Sequence, residues 1–246
     1  MFLSVRGTME PCEMFTKGHL ILFLITSLII DIAISFTKNK KKEEIYKIIK
    51  TLTIIICVLE MIKISFTLFV EKITNPNDFM PLYYCSLLIY AGLLSSFGKG
   101  VFKRLGDVFL ATGGIVGGII FMLFPTTSLP YYPATHFISI HSYFFHGTML
   151  YLGLIINITN YIELEKEDIL YYEVLLTIEC LCAYILNKKY GSNLMFISQN
   201  FPGTILEVLY NALGKFYTIV ISIIQITLPF YTVYYIKKLI INIKKH

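Results

Sequence analysis

Residues 133–153 read PATHFISIHSYFFHGTMLYLG. Three histidines, His136, His141 and His146, stand five residues apart among apolar and aromatic side chains. The apolar run is long enough to enter a bilayer as a helix, and a span is expected from His136 to Asn157. An imidazole inside such a span is costly to bury and titrates near neutral pH, so each of these histidines is a candidate functional group.

Outward from this stretch, the whole chain reads as membrane protein. Its 246 residues are 56% hydrophobic and only 15% charged, which excludes an ordinary soluble domain. Six further spans are expected: His19 to Phe36, Ile48 to Val70, Phe79 to Phe97, Leu105 to Phe124, Leu170 to Leu186 and Phe216 to Ile236. The fold expected is therefore all-α, a polytopic bundle of seven transmembrane helices in one integral membrane domain over 1–246. No loop is long enough to hold a soluble domain. No small-residue cleavage site precedes the basic block Lys38 to Lys42, so the first run is expected to be a retained span.

The net charge of +5 does not point to nucleic acid, because the lysines sit in short connections between apolar runs. With the N-terminus outside, most of the basic residues fall in the inner segments, including Lys244 and Lys245 of the tail, so N-out, C-in is expected. The isoleucine, lysine and asparagine usage is that of an AT-biased bacterial genome, which points to the cell membrane. In this topology Cys85 lies roughly 9 Å, His141 roughly 8 Å and His146 roughly 15 Å below the outer face, at about 1.5 Å per residue. A thiol and an imidazole thus meet in the outer half of the membrane.

Other ionisable residues also fall inside spans. Glu60 and Lys63, spaced i, i+3, form a structural pair, and Asp31 and Glu179 must face the bundle or water. His19 and His136 mark span ends, where polar side chains cost little. Ser142 sits one turn before His146; the ordinary role of such a serine is packing or a bond to the preceding turn. The glycines of the fourth span, Gly113, Gly114, Gly117 and Gly118, suit close helix approach and carry no phosphate-loop lysine. The five cysteines show neither zinc spacing nor a disulfide framework, and no metal or other cofactor is expected. The polar connection 187–215, with Asn193 and Gln199, is expected to act as a lid or re-entrant segment over spans three and five.

Several segments carry a resemblance. Met80-Pro81-Leu82-Tyr83-Tyr84-Cys85-Ser86 resembles the LPLHLC segment of the YwaF-like bacterial integral membrane proteins, related to the eukaryotic transmembrane protein 164 family. His141-Ser142-Tyr143-Phe144-Phe145-His146-Gly147 resembles their HSFxxH segment. Gly113-Gly114 leading to Phe124-Pro125, Asn193-Leu194-Met195-Phe196 followed by Pro202, and Gly214-Lys215-Phe216-Tyr217 resemble their glycine-rich span, NYMxL loop and last-span entry, in the same order. Tyr84 stands where a histidine is common there, and the chain has no tryptophan.

The resemblance implies an acyltransferase that moves a fatty acyl chain between phospholipids. It implies Cys85 and His146 as the catalytic pair, with His141, Ser142, Tyr84 and Asn193 as supporting candidates. The partner is then a membrane phospholipid or lysophospholipid. The chemistry expected is deprotonation of the Cys85 thiol by His146, attack on an acyl ester and passage through a thioester, with a variant in which His146 is the base for a hydroxyl and Cys85 forms no covalent bond. The oxyanion donor is left among Tyr83, Tyr84, His141 and a backbone N–H. The alternative class is a small-solute or proton-coupled transporter, with Asp31, Glu60, Lys63, His146 and Glu179 as a polar path. A path open to both faces would favour transport; a cavity open sideways or to one face would favour lipid chemistry.

Overall fold

A computed structural model describes residues 2–243, which form helices and turns without a strand among them. Lys244 and Lys245, counted above with the inner tail, lie outside the described residues. Helix α1 (Lys17–Thr37) starts where the Thr16 hydroxyl accepts the His19 N–H. Helix α2 (Lys42–Ser65) starts where Glu44 reaches back to the Lys41 N–H and pairs with Lys40 at 2.7 Å. A wider turn, Phe66–Val70, ends it. The remaining helices are α3 (Pro76–Phe79), α4 (Leu87–Phe97), α5 (Val101–Ala111), α6 (Gly113–Leu123), α7 (Phe137–Ile158), α8 (Ile169–Tyr190), α9 (Ile205–Leu213) and α10 (Tyr217–Ile243).

Three of the expected spans are modified. The third is helical only from a short 3₁₀ turn at Tyr84–Ser86 onward, because Pro81 and its extended neighbours break the run before it. The fourth is two half-helices that part at Thr112, whose hydroxyl donates back to the Val108 carbonyl at 2.7 Å. The last runs on to Ile243 and passes through Pro229. Proline lacks the N–H that would bond the Gln225 carbonyl, and the Tyr172 hydroxyl donates to that carbonyl at 3.4 Å.

Six helical segments among the described residues are long and apolar enough to cross a membrane, against seven expected. The difference is α7. Its 22 residues give the length, but two histidines, two serines and two glycines dilute its apolar character. It tolerates them because most of it is buried, packed against α1, α2, α5 and α6. By contrast α1 is peripheral and leaves Leu20, Leu24, Leu28 and Ile32 exposed, as a lipid-facing helix does. Asp31 lies on its exposed side, whereas Glu179 is turned into the bundle.

The connections sort into two ends. Residues 2–16, 71–83, 124–136 and 191–204 meet at one end: Arg6 pairs with Asp78 at 2.6 Å, Cys12 N–H donates to the Tyr132 carbonyl, and Asn193 N–H donates to the Asn77 side chain. At the other end Arg104 grips Asp168 with two nitrogens, and Lys103 donates to Asp107 and the Tyr161 hydroxyl. Desolvation raises the Tyr161 hydroxyl above the usual phenol range, so it stays protonated beside Lys103.

His19 and His136 stand at helix starts as expected, but neither is cheaply solvated. His19 is 6% exposed; its Nδ1 accepts the Phe15 N–H at 2.9 Å and its Nε2 bonds the Met122 carbonyl at 3.0 Å. His136 is fully buried; its Nδ1 accepts the Ile138 N–H and its Nε2 bonds the Ser4 carbonyl. Residues 2–16 fold back over these ends, a tertiary cover that local pattern does not reveal. Both rings have both nitrogens occupied.

Candidate functional site

Beneath the end formed by 2–16, 71–83, 124–136 and 191–204 lies a cavity of about 810 Å³. That is the size of a small-molecule site. All six residues singled out from the sequence line it: Tyr84, Cys85, His141, Ser142, His146 and Asn193. Its rim is polar, with Arg6, Asn77, Asp78, Tyr132 and Gln199, and its deeper wall is apolar, from Val116 and Ile120 of α6 and Ile221, Ile224 and Leu228 of α10. Ile120, Phe124, Ile224 and Leu228 line the cavity and are exposed.

Each site residue is set by its element. Cys85 lies in the turn that leads into α4, where the first N–H groups of a helix have no intrahelical acceptor and favour negative charge nearby. Its thiol is free, as are the other four. His146 is in mid-helix, 8% exposed, stacked on Phe121 at 3.5 Å between ring centres. Its Nδ1 bonds the Ser142 carbonyl at 2.7 Å. A carbonyl only accepts, so in the neutral ring Nδ1 carries the proton and Nε2 keeps its lone pair. Nε2 has no hydrogen-bond partner among the described residues. Cys85 and His146 share the cavity, but no hydrogen bond joins them among the described residues.

The other candidates divide. Tyr84 directs its hydroxyl away from the cavity, to the Tyr172 hydroxyl at 2.7 Å and the Gly113 carbonyl at 3.3 Å. Tyr83 donates to the Asn77 carbonyl at 3.0 Å. Asn193 spends its side chain on the loop, accepting the Ser198 and Gln199 N–H groups and donating to the Gln199 carbonyl. That loop covers the rim, with Phe196 against Tyr83 at 5.1 Å, and holds Met195 and Phe196 at positive φ. Tyr132, outside the spans, donates to Glu71 at 2.9 Å; burial and the Glu71 carboxylate push its hydroxyl well above the usual phenol range.

Glu60 and Lys63 are paired as expected, at 2.5 Å, but they are more than a structural pair. Both line the cavity, and Glu60 Oε2 lies 3.5 Å from His141 Nε2. The sequence signal was their place in mid-span, where charge is expensive. The third member, on α7, is brought to them only by packing. Glu179 and Asp31 do not line this cavity.

The chain is thus a multi-pass membrane protein whose thiol and two imidazoles face one amphipathic cavity. No curated protein and no solved structure matches it. The model of one protein family matches residues 14–235, nearly the whole chain, and the protein belongs to the TMEM164 family.

Proposed function

We propose that the protein is a lipid acyltransferase of the cell membrane, with seven spans oriented N-out, C-in, and with Cys85 as nucleophile and His146 as base. The observation that carries this reading is one cavity, lined by both Cys85 and His146, that has a polar rim and an apolar wall. A phospholipid matches that division: its headgroup suits the rim, its chain the apolar wall, and its ester the level between them. The alternation of the connections between two ends fits seven crossings when α7 is counted with the six apolar segments.

In the reaction, His146 Nε2 takes the Cys85 thiol proton and the sulfur attacks the ester carbonyl. The carbon–oxygen bond breaks, and the proton goes to the departing lysolipid oxygen. A thioester remains on Cys85 until an acceptor hydroxyl displaces the thiolate. The absence of a preformed thiol–imidazole bond is compatible with this order, because such contacts tighten when substrate is bound. Tyr83 and Tyr84 already spend their hydroxyls on protein carbonyls or on Tyr172, which leaves the N–H groups ahead of α4 as oxyanion donors. The transporter reading needs one polar path, and Asp31 and Glu179 stand off the cavity that Glu60, Lys63 and His146 line.

The test is covalent trapping. Protein in mixed detergent–phospholipid micelles, given a phospholipid with a tagged acyl chain, is expected to carry a hydroxylamine-sensitive adduct on Cys85. Cys85→Ser abolishes that adduct, and His146→Ala lowers its rate about 100-fold. Acyl exchange at native rate in Cys85→Ala would remove the thioester from the mechanism.

A further inference from the structure

The histidines differ in what their nitrogens do. His19 and His136 have both nitrogens bonded to backbone. His146 is held at Nδ1 alone. His141 is held at neither: its Nε2 is enclosed by protein and makes no hydrogen bond, and its side chain is only 4% exposed. An enclosed, unpartnered imidazole nitrogen is costly, and a carboxylate oxygen, Glu60 Oε2, lies 3.5 Å from it. Lys63 holds the other oxygen, Oε1, at 2.5 Å, which leaves Oε2 for the ring.

We propose that Glu60 and His141 form a carboxylate–imidazole dyad, anchored by Lys63, and that His141 is the base for an acyl acceptor of a different class from the lysolipid that His146 releases. The proposal rests on the acyl-transfer reading and extends it to the second half-reaction. Glu60 fixes the proton on Nε2, as carboxylates do for the far nitrogen of a catalytic imidazole. The lone pair then belongs to Nδ1, which has no partner among the described residues, on a side chain that lines the cavity. His146 is the opposite tautomer, with its proton on Nδ1 against a neutral carbonyl. Of the two, only His141 has a carboxylate oxygen beside its ring.

In the step, the acceptor hydroxyl gives its proton to His141 Nδ1 and its oxygen bonds the thioester carbonyl. The carbon–sulfur bond breaks, the Cys85 thiolate leaves with the electron pair, and the proton on His141 returns to that sulfur. Glu60 touches no substrate; it is a positioning residue. The charged and titratable groups facing His141 are Glu60 and Lys63 from α2 and His146 from its own helix.

Two measurements test the dyad. In the first, the tagged acyl-Cys85 adduct is isolated and chased with a lysophospholipid whose headgroup differs from that of the donor. Glu60→Gln is expected to slow the chase about 100-fold, far more than it slows adduct formation, and Glu60→Asp to recover part of the loss. Equal slowing of both steps, or an unslowed chase, would overturn the proposal. The second needs no activity: ¹⁵N spectra of histidine-labelled protein in micelles, with the His141 signal assigned by its loss in His141→Asn. The native ring is expected as the Nε2–H tautomer, with that preference lost in Glu60→Leu. A native Nδ1–H tautomer would overturn the dyad whether or not the protein transfers acyl chains. A native protein that shows the dyad tautomer but forms no adduct would leave the dyad standing and sink the acyl-enzyme reading.

Discussion

His146→Gln is expected to lower acyl transfer at least about 100-fold while the protein stays folded. Glutamine fills much of the space against Phe121, where the native ring stacks, so the loss is not one of packing. What disappears is the Nε2 lone pair. The informative comparison is with the two histidines whose nitrogens are both occupied. His136→Ala removes the cap on Ile138 and the bond to Ser4, and is expected to cost about 1–3 kcal/mol of stability. It should leave the rate per folded molecule near native, because His136 does not line the cavity. Transfer by His146→Gln above a tenth of native would sink the base assignment. Equal loss of rate in both variants would mean that these histidines are not divided as the hydrogen bonds divide them.

That division marks the limit of what the sequence could reveal. Apolar runs and lysine-bearing loops made the helices legible, because span length and charge placement are local properties. The six candidate residues were legible as short motifs, and packing does bring them to one cavity. The spending of side chains was not legible. Tyr84 and Asn193 carry the right groups, yet their hydrogen bonds go to Tyr172, Gly113 and the 198–199 backbone. Glu60 showed only its neighbour Lys63, one turn away, because His141 lies on another helix 81 residues later. The break at Thr112 was equally hidden: a glycine-rich run signals close approach but does not say where a helix yields.

The largest effect on stability is expected at Gly106, far from the cavity. Helices α4 and α5 run back to back from the turn at Gly98–Gly100, and Gly106 rests against the α4 backbone itself. A Cβ there would lie 2.3 Å from the Ala91 carbonyl oxygen and 2.4 Å from the Ser95 nitrogen. Those two atoms stand at i and i+4, the spacing of a helical hydrogen bond, so the methyl would wedge between donor and acceptor. Gly106→Ala is therefore expected to cost at least about 3 kcal/mol, read as loss of thermal stability in micelles. No trimming of facing side chains can relieve it, because the clash is with main chain. Gly92→Ala is the contrast. The atoms nearest its Cβ would all belong to the side chain of Thr53, with Oγ1 at 2.6 Å and Cγ2 at 3.0 Å. Thr53→Ala removes both atoms and should restore most of what Gly92→Ala loses. Ala91→Gly should restore nothing to Gly106→Ala. Rescue there would mean that α4 can move away from α5. The buried Ser95–Asp107 bond at 2.5 Å, and the Lys103 amine that completes it, would then not fix the two helices together.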